Sequence, residues 1–350
     1  MNEVRFGLVG AGAIAELTAR DLARHDAVRL TAVADPSTQR AAALAAQFDI
    51  PYTHADAAAL LRRDDIDAVY VAVPNALHAG LATAALAAGK HVLLEKPFAT
   101  SAAEAEAVAA AAERHGRLLM LGMNQRFDAN VQRARQLVRS GELGPVYFAR
   151  GYWRRRSGIP RIGSWFTRRA DAGGGALLDI GVHILDVLLF VLDEFKPVSV
   201  SGVAFSRQGN RGRGDGDWGR SERDDSTFDV DDLAAALVRL DSGAALSLEA
   251  AWALHQPDQD QMGAELHGED AGLSVYRNQL YRPGDGGGYS IVEGLPDGPL
   301  PYPHCSRSHH FVNVLLDREP AVVTVSQALT VQRLLDAIYA SAAAGREVAL

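Results

Sequence analysis

A glycine-rich turn near the start of the chain is the feature that most constrains its fold. The turn directly follows the apolar run Val4–Val9. It leads into an alanine-containing helical segment that begins at Ala13 and includes Ala15. A first glycine permits the tight turn, a second lets a ligand approach the backbone, and a small third residue lets strand and helix pack closely. The free N–H groups of the helix start then suit an anion. The pattern predicts a turn that binds the pyrophosphate of a dinucleotide through Gly10, Gly12, Ala13 and Ile14.

The first third of the chain alternates short apolar runs with alanine-rich helical segments. Ser37 and Ser101 are suited to cap helices, and Gly89 and Gly116 follow helix ends, where a left-handed residue is favoured. Such alternation is typical of a parallel sheet with crossover helices, so we predict a Rossmann domain over residues 1–124. The predicted strands are Val4–Val9, Arg29–Ala34, Ala68–Val73, His91–Leu94 and Leu118–Gly122, and the predicted helices are Ala13–Arg24, Ser37–Phe48, Ala76–Ala88 and Ser101–His115.

The remainder of the chain has a different texture. Its strand patterns follow one another without helices between them, which favours an antiparallel arrangement. We therefore predict that residues 125–350 form an α+β domain with a large, mostly antiparallel sheet, which binds substrate and mediates oligomerisation. Arg207–Asp229 is polar enough to be a long loop. The pattern of Ser326–Ala344 predicts a helix near the end of the sequence, and this helix could pack either within the second domain or against the first. The predicted strands are Val198–Phe205, Leu233–Leu240, Ala245–Ala251 and Gly272–Tyr276.

Charge and cysteine content exclude several classes of partner. The 350 residues carry a formal net charge of −8, which repels phosphate backbones, so we expect no nucleic-acid partner. A single cysteine, Cys305, excludes an intrachain disulfide and a cysteine-cluster metal site, and it suits a reducing compartment. We find neither a leader-like amino terminus nor an uninterrupted apolar run of membrane-spanning length. We expect a cytoplasmic protein with no membrane partner.

A carboxylate at the end of the second predicted strand bears on the choice of cofactor. Asp35 stands where the adenosine ribose of a bound dinucleotide should lie. A carboxylate there accepts hydrogen bonds from both ribose hydroxyls and repels a 2′-phosphate, which favours NAD over NADP. Arg40 is close enough in sequence to neutralise such a phosphate. The alternative for Asp35 is that it caps the next helix.

Further motifs fall at strand ends or in the second half of the chain. They are Val73-Pro74-Asn75, Glu95-Lys96-Pro97, Asn124-Gln125-Arg126-Phe127, the run from Gly173 through Asp179 to His183, and Asp231-Asp232-Leu233. Together they resemble the Gfo/Idh/MocA family of oxidoreductases over nearly the whole chain. The resemblance implies that Lys96, Asp179 and His183 act on a sugar or polyol hydroxyl beside a nicotinamide. The further cofactor-binding residues that we predict are Pro74, Asn75, His78, Glu95, Lys96 and Asn124.

The residue types suit the oxidation of a secondary alcohol. Hydride leaves for the nicotinamide and a proton leaves for a base, so a titratable group must lie beside the carbinol oxygen. His183 suits this role because the unperturbed pKa of a histidine lies near neutrality. Asp179, at i−4, shares its face if the segment is helical. Lys96 would stabilise negative charge on the oxygen. Asp179 and His183 could instead satisfy one another inside a helix, and a metal site lacks a convincing third ligand. We expect His309 and His310 to be structural.

Flat aromatic rings and arginines could hold a sugar. An arginine-rich stretch between Trp153 and Arg169 is either a solvated or subunit-contact surface or a source of ligands for an oxygen-rich substrate. Ordinary packing is the alternative for the aromatic rings. The substrate-binding residues that we predict are Arg126, Trp153, Arg154 and Trp165.

Three functions remain open at this point. The leading prediction is a reversible NAD-dependent dehydrogenase for a secondary hydroxyl of a pyranose or cyclic polyol. The second is an NAD-retaining glycosidase that works by transient oxidation and elimination. The third is a sensor that binds NAD and sugar without catalysis. A sensor would be expected to lose some of the residues Lys96, Asp179 and His183, whereas this sequence contains all three. The resemblance also implies a homodimer or homotetramer formed through the second domain's sheet.

Overall fold

The computed structural model of the chain describes residues 3–216, 226–295 and 298–350. They divide into two compact units. The first unit extends to Asn124 and also contains residues 306–329, and the second contains residues 125–305 and 330–350. Residues 306–329 therefore belong to the first unit, whereas the prediction assigns them to the second domain.

The first unit is built on a parallel sheet. Within the described residues, six strands have the order β3-β2-β1-β4-β5-β6, with every neighbouring pair parallel. This is the strand order of a dinucleotide-binding Rossmann sheet, as predicted. The elements in chain order are β1 Val4–Val9, α1 Ala13–Leu22, β2 Val28–Ala34, α2 Thr38–Gln47, β3 Tyr52–His54, α3 Ala57–Leu61, β4 Ala68–Val71, α4 His78–Ala87, β5 His91–Leu94, α5 Ala102–His115 and β6 Leu119–Leu121.

Local signals at helix ends are confirmed in this unit. The hydroxyl oxygen of Ser37 accepts the N–H of Arg40, and that of Ser101 accepts the N–H of Glu104. Gly89 and Gly116 both adopt positive φ after their helices. Strand β3 is absent from the prediction because it is a three-residue edge strand without a buried residue.

The second unit combines helices with a large sheet. The elements that follow β6 in chain order are α6 Ala129–Arg139, β7 Val146–Arg155, β8 Ile159–Pro160, α7 Arg169–Ala172, α8 Val182–Leu192, β9 Pro197–Phe205, β10 Asp215–Gly216, β11 Leu233–Leu240, β12 Ala245–Ala251, β13 Asp260–Gly268, β14 Gly272–Ser274, β15 Gln279–Pro283, β16 Tyr289–Glu293, α9 Arg307–Leu315, α10 Val325–Ala344 and β17 Val348–Ala349. Helix α9 lies in the first unit, and α10 crosses the division between the units at Thr330.

The sheet of the second unit is mostly antiparallel, as predicted. In the described part of the chain it has nine strands in the order β16-β15-β14-β13-β7-β12-β11-β9-β17. Only its β7–β12 pair is parallel among these residues. Within the predicted loop Arg207–Asp229 the structure has a 3₁₀ turn at Gly209–Arg211 and the short strand β10, while residues 217–225 lie outside the described residues.

The central strand β7 is missing from the prediction because its sequence contains a glycine and several arginines. Gly151 is needed there, since a Cβ at this position would collide with Ile184 and Leu188 of α8. On the opposite face, Arg150 pairs with Glu265 of β13. The neighbouring strand β13 thus neutralises a charge that is unusual in a central strand. Strands β13, β15 and β16 are likewise absent from the prediction.

A long helical stretch, Arg169–Leu192, is apolar enough by length and composition to cross a membrane, but 89% of its most apolar window is buried inside the protein. Its carboxyl-terminal part, α8, is buried along almost its whole length. We interpret this stretch as the central core helix of the second unit.

Helix α9 is integrated into the first unit by both apolar and polar contacts. The ring of Phe311 packs edge-on against Phe6 of β1, with centroids 5.8 Å apart. His310 hydrogen-bonds to Glu319 and accepts the N–H of Val322, and His309 contacts the carbonyl of Asp21. These contacts give both histidines structural roles.

Candidate active site

The turn between β1 and α1 has the geometry of an anion site. Gly10 has φ +100°, and a Cβ there would collide with the carbonyl oxygen of Ala72, so only glycine fits. Gly12 is the N-cap of α1 and faces open space. Among the residues that the structure describes, no side chain caps this helix start. The N–H groups of Ala13 and Ile14 are therefore directed at whatever occupies that space. These residues therefore fit a dinucleotide pyrophosphate.

Asp35 is a hub for hydrogen bonds at the end of β2. Its Oδ2 accepts the N–H of Ala11 at 2.8 Å, and its Oδ1 accepts the N–H of Ser37 at 2.8 Å and Nη2 of Arg40 at 2.9 Å. A carboxylate offers about four lone-pair positions, so roughly one remains, on Oδ2. The carboxylate can thus accept one ribose hydroxyl, whereas the prediction had it accept two. It also fastens the glycine turn and the start of α2.

His78 connects the segments that follow β4 and β5. The ring is 1% exposed, and its nitrogens lie 3.0 Å from the carbonyl of Val73 and 2.8 Å from that of Pro97. Burial lowers the pKa of His78, so the neutral ring donates to one carbonyl at a time. The prediction makes His78 a cofactor ligand, but its contacts hold in place the segments that carry Pro74, Asn75 and Lys96.

Glu95 faces the interior of the first unit. Its Oε1 accepts the hydroxyl of Tyr70 and pairs with Arg307 of α9, and its Oε2 accepts the N–H of Lys96 at 3.2 Å. Burial raises the pKa of Glu95, but Arg307, the Tyr70 hydroxyl and Lys96 outweigh burial and lower it below its usual value. Glu95 is predicted to bind the cofactor, and the structure directs its carboxylate at Tyr70 and Arg307. Lys96 is partly exposed beside it. Asn124, at the end of the unit, is exposed.

In the second unit, a π-helical turn carries Asp179. The turn spans Leu177–Gly181 and leads directly into α8, where His183 lies in the first turn. A π turn inserts one extra residue into a helix and is frequent at functional sites. The prediction assumes a regular helix with Asp179 and His183 stacked at i and i+4. Asp179 is partly exposed, and His183 is 8% exposed.

The glycine run before this turn is explained by close packing. A Cβ on Gly175 would collide with the backbone oxygen of Asp231, and one on Gly174 would collide with the hydroxyl of Tyr339. The Asp231 carboxylate accepts the N–H groups of Gly175 at 2.7 Å and Leu177 at 2.9 Å. Asp231 thus caps the helical segment that presents Asp179.

Two tryptophans adjoin the predicted catalytic pair. Trp252, which is fully buried after β12, donates Nε1–H to Oδ2 of Asp179 at 2.9 Å. Trp153 has its ring centroid 6.0 Å from that of His183, and its Nε1–H is held by Asp260 at 2.8 Å. Trp252 is absent from the prediction because its partner Asp179 lies 73 positions away, and no local signal in the sequence joins the two residues.

The other predicted substrate ligands lie in different surroundings. The ring of Trp165 stacks on that of Phe166, with ring centroids 3.7 Å apart. Phe166 in turn packs against the apolar cluster that includes Trp252. Arg154 is adjacent to Trp153 on β7, so strand alternation points it to the opposite face, where it contacts Tyr152 and Gln261. The structure therefore does not bring Arg154 to His183.

Arg126 is part of a buried ion pair. Its guanidinium is 0% exposed and binds Asp186 of α8 through Nη2 at 2.5 Å and Nε at 2.9 Å. It also lies over the ring of Phe190, 4.8 Å from the centroid. Arg126 is predicted to bind substrate, and the structure places its guanidinium in a buried ion pair with α8.

Sequence models of one family match both halves of the chain. Residues 4–123 match the model described as an oxidoreductase family with an NAD-binding Rossmann fold, and residues 131–274 match its C-terminal domain. The chain belongs to the Gfo/Idh/MocA family. In this member of the family, the first unit is accordingly the NAD-binding Rossmann domain, as predicted.

Curated proteins and a solved structure match over most of the chain. D-glucoside 3-dehydrogenase of Escherichia coli (strain K12) is 30% identical over 100% of this chain and 98% of its own. A protein of Amycolatopsis mediterranei (strain S699), named as a candidate UDP-kanosamine synthase oxidoreductase subunit, is 39% identical over 72% of this chain and 70% of its own. The crystal structure of GenD2 from gentamicin A biosynthesis in complex with NAD superposes with a TM-score of 0.81 at 26% identity, over 100% and 97% of the chains.

Proposed function

We propose that this chain is an NAD-dependent dehydrogenase that oxidises a secondary hydroxyl of a pyranose or cyclic polyol, with the reverse reduction open to it. Family membership supports the redox chemistry, and the full-length relative named as a glucoside 3-dehydrogenase supports a sugar substrate. The observation that carries the proposal is the fixed placement of Asp179, held by Trp252, one turn before His183.

The first unit supplies the cofactor site in this proposal. When bound, NAD provides the acceptor for the substrate hydride. The N–H groups of Ala13 and Ile14 hold the pyrophosphate, and the remaining lone pair of Asp35 accepts a ribose hydroxyl. Asp35 repels a 2′-phosphate, and it already pairs with Arg40, which supports NAD over NADP.

Three side chains act on the substrate hydroxyl and its proton in this proposal. His183 accepts the hydroxyl proton, since an imidazole is poised to do so near neutral pH. Asp179 orients the substrate hydroxyl or the imidazole and is itself oriented by Trp252. Lys96 stabilises the developing negative charge on oxygen. The flat ring of Trp153 offers an apolar face to a sugar ring.

The proposal is tested by following the absorbance of reduced nicotinamide with D-glucosides, inositols, aldoses and anhydrosugars, using NAD and NADP in parallel. Reduction of NAD by a sugar, with loss of at least about 100-fold in kcat for Lys96→Met and His183→Ala, is expected. Lys196→Met and His115→Gln alter exposed side chains and serve as matched controls. Release of aglycone without net NADH would replace the proposal by the glycosidase, which no observation on this chain favours at present.

The cofactor preference has a separate test. Asp35→Ser is expected to lower the ratio of kcat/KM with NAD to kcat/KM with NADP at least about tenfold, since it removes a carboxylate that repels a phosphate. Adding Arg40→Ala should then take away the gain with NADP. A wild-type enzyme that prefers NADP would contradict the role given to Asp35.

We also propose a homodimer or homotetramer that assembles through the sheet of the second unit, and a cytoplasmic location that suits the single cysteine. The support for assembly is an apolar strip on one sheet face, where Val203, Phe205 and Leu237 of β9 and β11 are 46%, 41% and 38% exposed. Light scattering of wild type and Leu237→Glu tests this. A wild-type monomer, or an unchanged mass for the variant, would count against assembly at this strip.

A further inference from the structure

The guanidinium of Arg307, in the first turn of α9, is a buried junction of the first unit. Its Nη1 donates to the carbonyl of Gly122 at 2.9 Å, and its Nη2 donates to the hydroxyls of Thr18 and Tyr70, each at 3.1 Å. The same Nη2 forms an ion pair with Glu95. One side chain thus joins α1, β4 and the carboxyl ends of β5 and β6.

Glu95 connects this junction to Lys96. One oxygen of Glu95 binds Arg307 and Tyr70, and the other accepts the backbone N–H of Lys96 at 3.2 Å. We propose that Arg307 is a positioning residue that fixes the place and the electrostatic surroundings of Lys96 through the ionised carboxylate of Glu95. The inference rests on the proposed function, which gives Lys96 its role at the substrate oxygen.

The charged surroundings support this arrangement. The groups that face Glu95 are Arg307 from α9, Tyr70 from β4, Lys96 beside it and His78 from α4, while Asp21 of α1 acts on Arg307. Burial alone raises the pKa of Glu95, yet Arg307, Tyr70 and Lys96 lower it, so the carboxylate stays charged next to Lys96.

An ion pair at this depth is a costly way to obtain stability alone. Removing two charges from water costs free energy that packed apolar side chains would not incur. Arg307 and Glu95 are 9% and 5% exposed. The ion pair therefore matters mainly for the groups that it holds in place. These are the N–H of Lys96 and the carbonyl of Gly122, at two adjacent strand ends.

The test compares Glu95→Gln, Arg307→Met, Arg307→Lys and the double variant Arg307→Met/Glu95→Gln. Arg307→Met is expected to lower kcat roughly 10–100-fold, because small displacements of a reacting group cost about that much, with Kd for NAD within about threefold of wild type. Arg307→Lys should recover part of the loss. Arg5→Met, which breaks an ion pair with Asp67 on the same unit, is the matched control.

The pH profile of kcat separates positioning from mere structural support. In Glu95→Gln the anion beside Lys96 is gone while Arg307 stays cationic, so the ammonium form of Lys96 is disfavoured. The basic limb of the kcat profile should therefore move to lower pH by about 0.5 pH unit or more. The neutral pair of the double variant should move it back. Parallel losses in kcat, NAD affinity and Tm with an unmoved limb in every variant would overturn the inference.

Failure of the proposed function is recognised independently, because the wild-type protein would then reduce NAD with no sugar of the panel. The role of Lys96 is decided separately, by Lys96→Met. Retained turnover in that variant removes the proposed role of Lys96, whatever the Arg307 variants do. Loss of turnover in Lys96→Met with an unmoved limb in Glu95→Gln removes the inference alone. If Arg307→Met does not fold, Glu95→Gln, which preserves the shape of the side chain, still decides the question.

Discussion

The indole nitrogen of Trp252 donates a hydrogen bond to Oδ2 of Asp179 across 2.9 Å. It joins the residue that follows β12 to the π turn before α8, and Trp252 is fully buried. A rigid aromatic group thereby fixes the rotamer of a carboxylate that is itself partly exposed.

Trp252→Phe removes this N–H and keeps most of the apolar volume. A hydrogen bond to a charged group contributes about 1.5–3 kcal/mol, so we expect kcat/KM for the sugar to fall about tenfold or more, with Kd for NAD unchanged. Steady-state kinetics and NAD titration measure the two effects. A fall in Tm with unchanged kcat/KM for the sugar would instead give this hydrogen bond a purely structural role.

The two glycines of the first turn should respond differently to the same change. Gly12→Ala places a methyl group in open space, so the protein should keep its Tm within about 2 °C while Kd for NAD rises at least about tenfold.

Gly10→Ala combines φ +100° with a collision against Ala72, and its Tm should fall by about 4 °C or more. Thermal unfolding without cofactor and calorimetric NAD titration distinguish the two glycines. Normal NAD binding by Gly12→Ala would show that no ligand approaches this turn.

The buried pair Arg126–Asp186 should matter for stability and not for substrate affinity. Arg126→Met leaves Asp186 as an uncompensated buried charge, which costs about 3–5 kcal/mol, and the double variant Arg126→Met/Asp186→Leu should recover most of the loss. Urea midpoints measure this. A tenfold rise in KM for the sugar at unchanged stability would instead restore the predicted role of Arg126 as a substrate ligand.

Acidification should remove the contribution of Glu95 to stability. Because its pKa is lowered in the folded protein, that contribution is present above the unfolded value of about 4.3 and is lost as pH falls through the folded value. The difference in urea midpoint between wild type and Glu95→Gln should thus be largest near neutral pH and shrink below about pH 4. A difference that grows on acidification would contradict an ionised Glu95.

The features that the sequence could predict are those with a local cause. The glycine turn, the caps Ser37 and Ser101, and the position of Lys96 after β5 follow from neighbouring residues. The partners of buried polar groups lie far away in sequence, as for Arg307 and Tyr70, which are separated by 237 positions.

Strand β7 has its cause in tertiary packing. Gly151 is tolerated in a central strand because α8 presses against it, and the charge of Arg150 is balanced by another strand. Neither fact is visible in the segment itself, because the packing partners of β7 lie on other elements.

The inclusion of residues 306–329 in the first unit has a consequence for biosynthesis. During translation, the ribosome must add residues 125–305 before Arg307 emerges, which takes roughly 10–40 s at about 5–20 residues per second. Throughout that interval the nascent cofactor domain has Glu95 and Tyr70 without their cationic partner. Its final packing therefore waits until residues 125–305 have been synthesised, in contrast to domains that fold in order from the amino terminus.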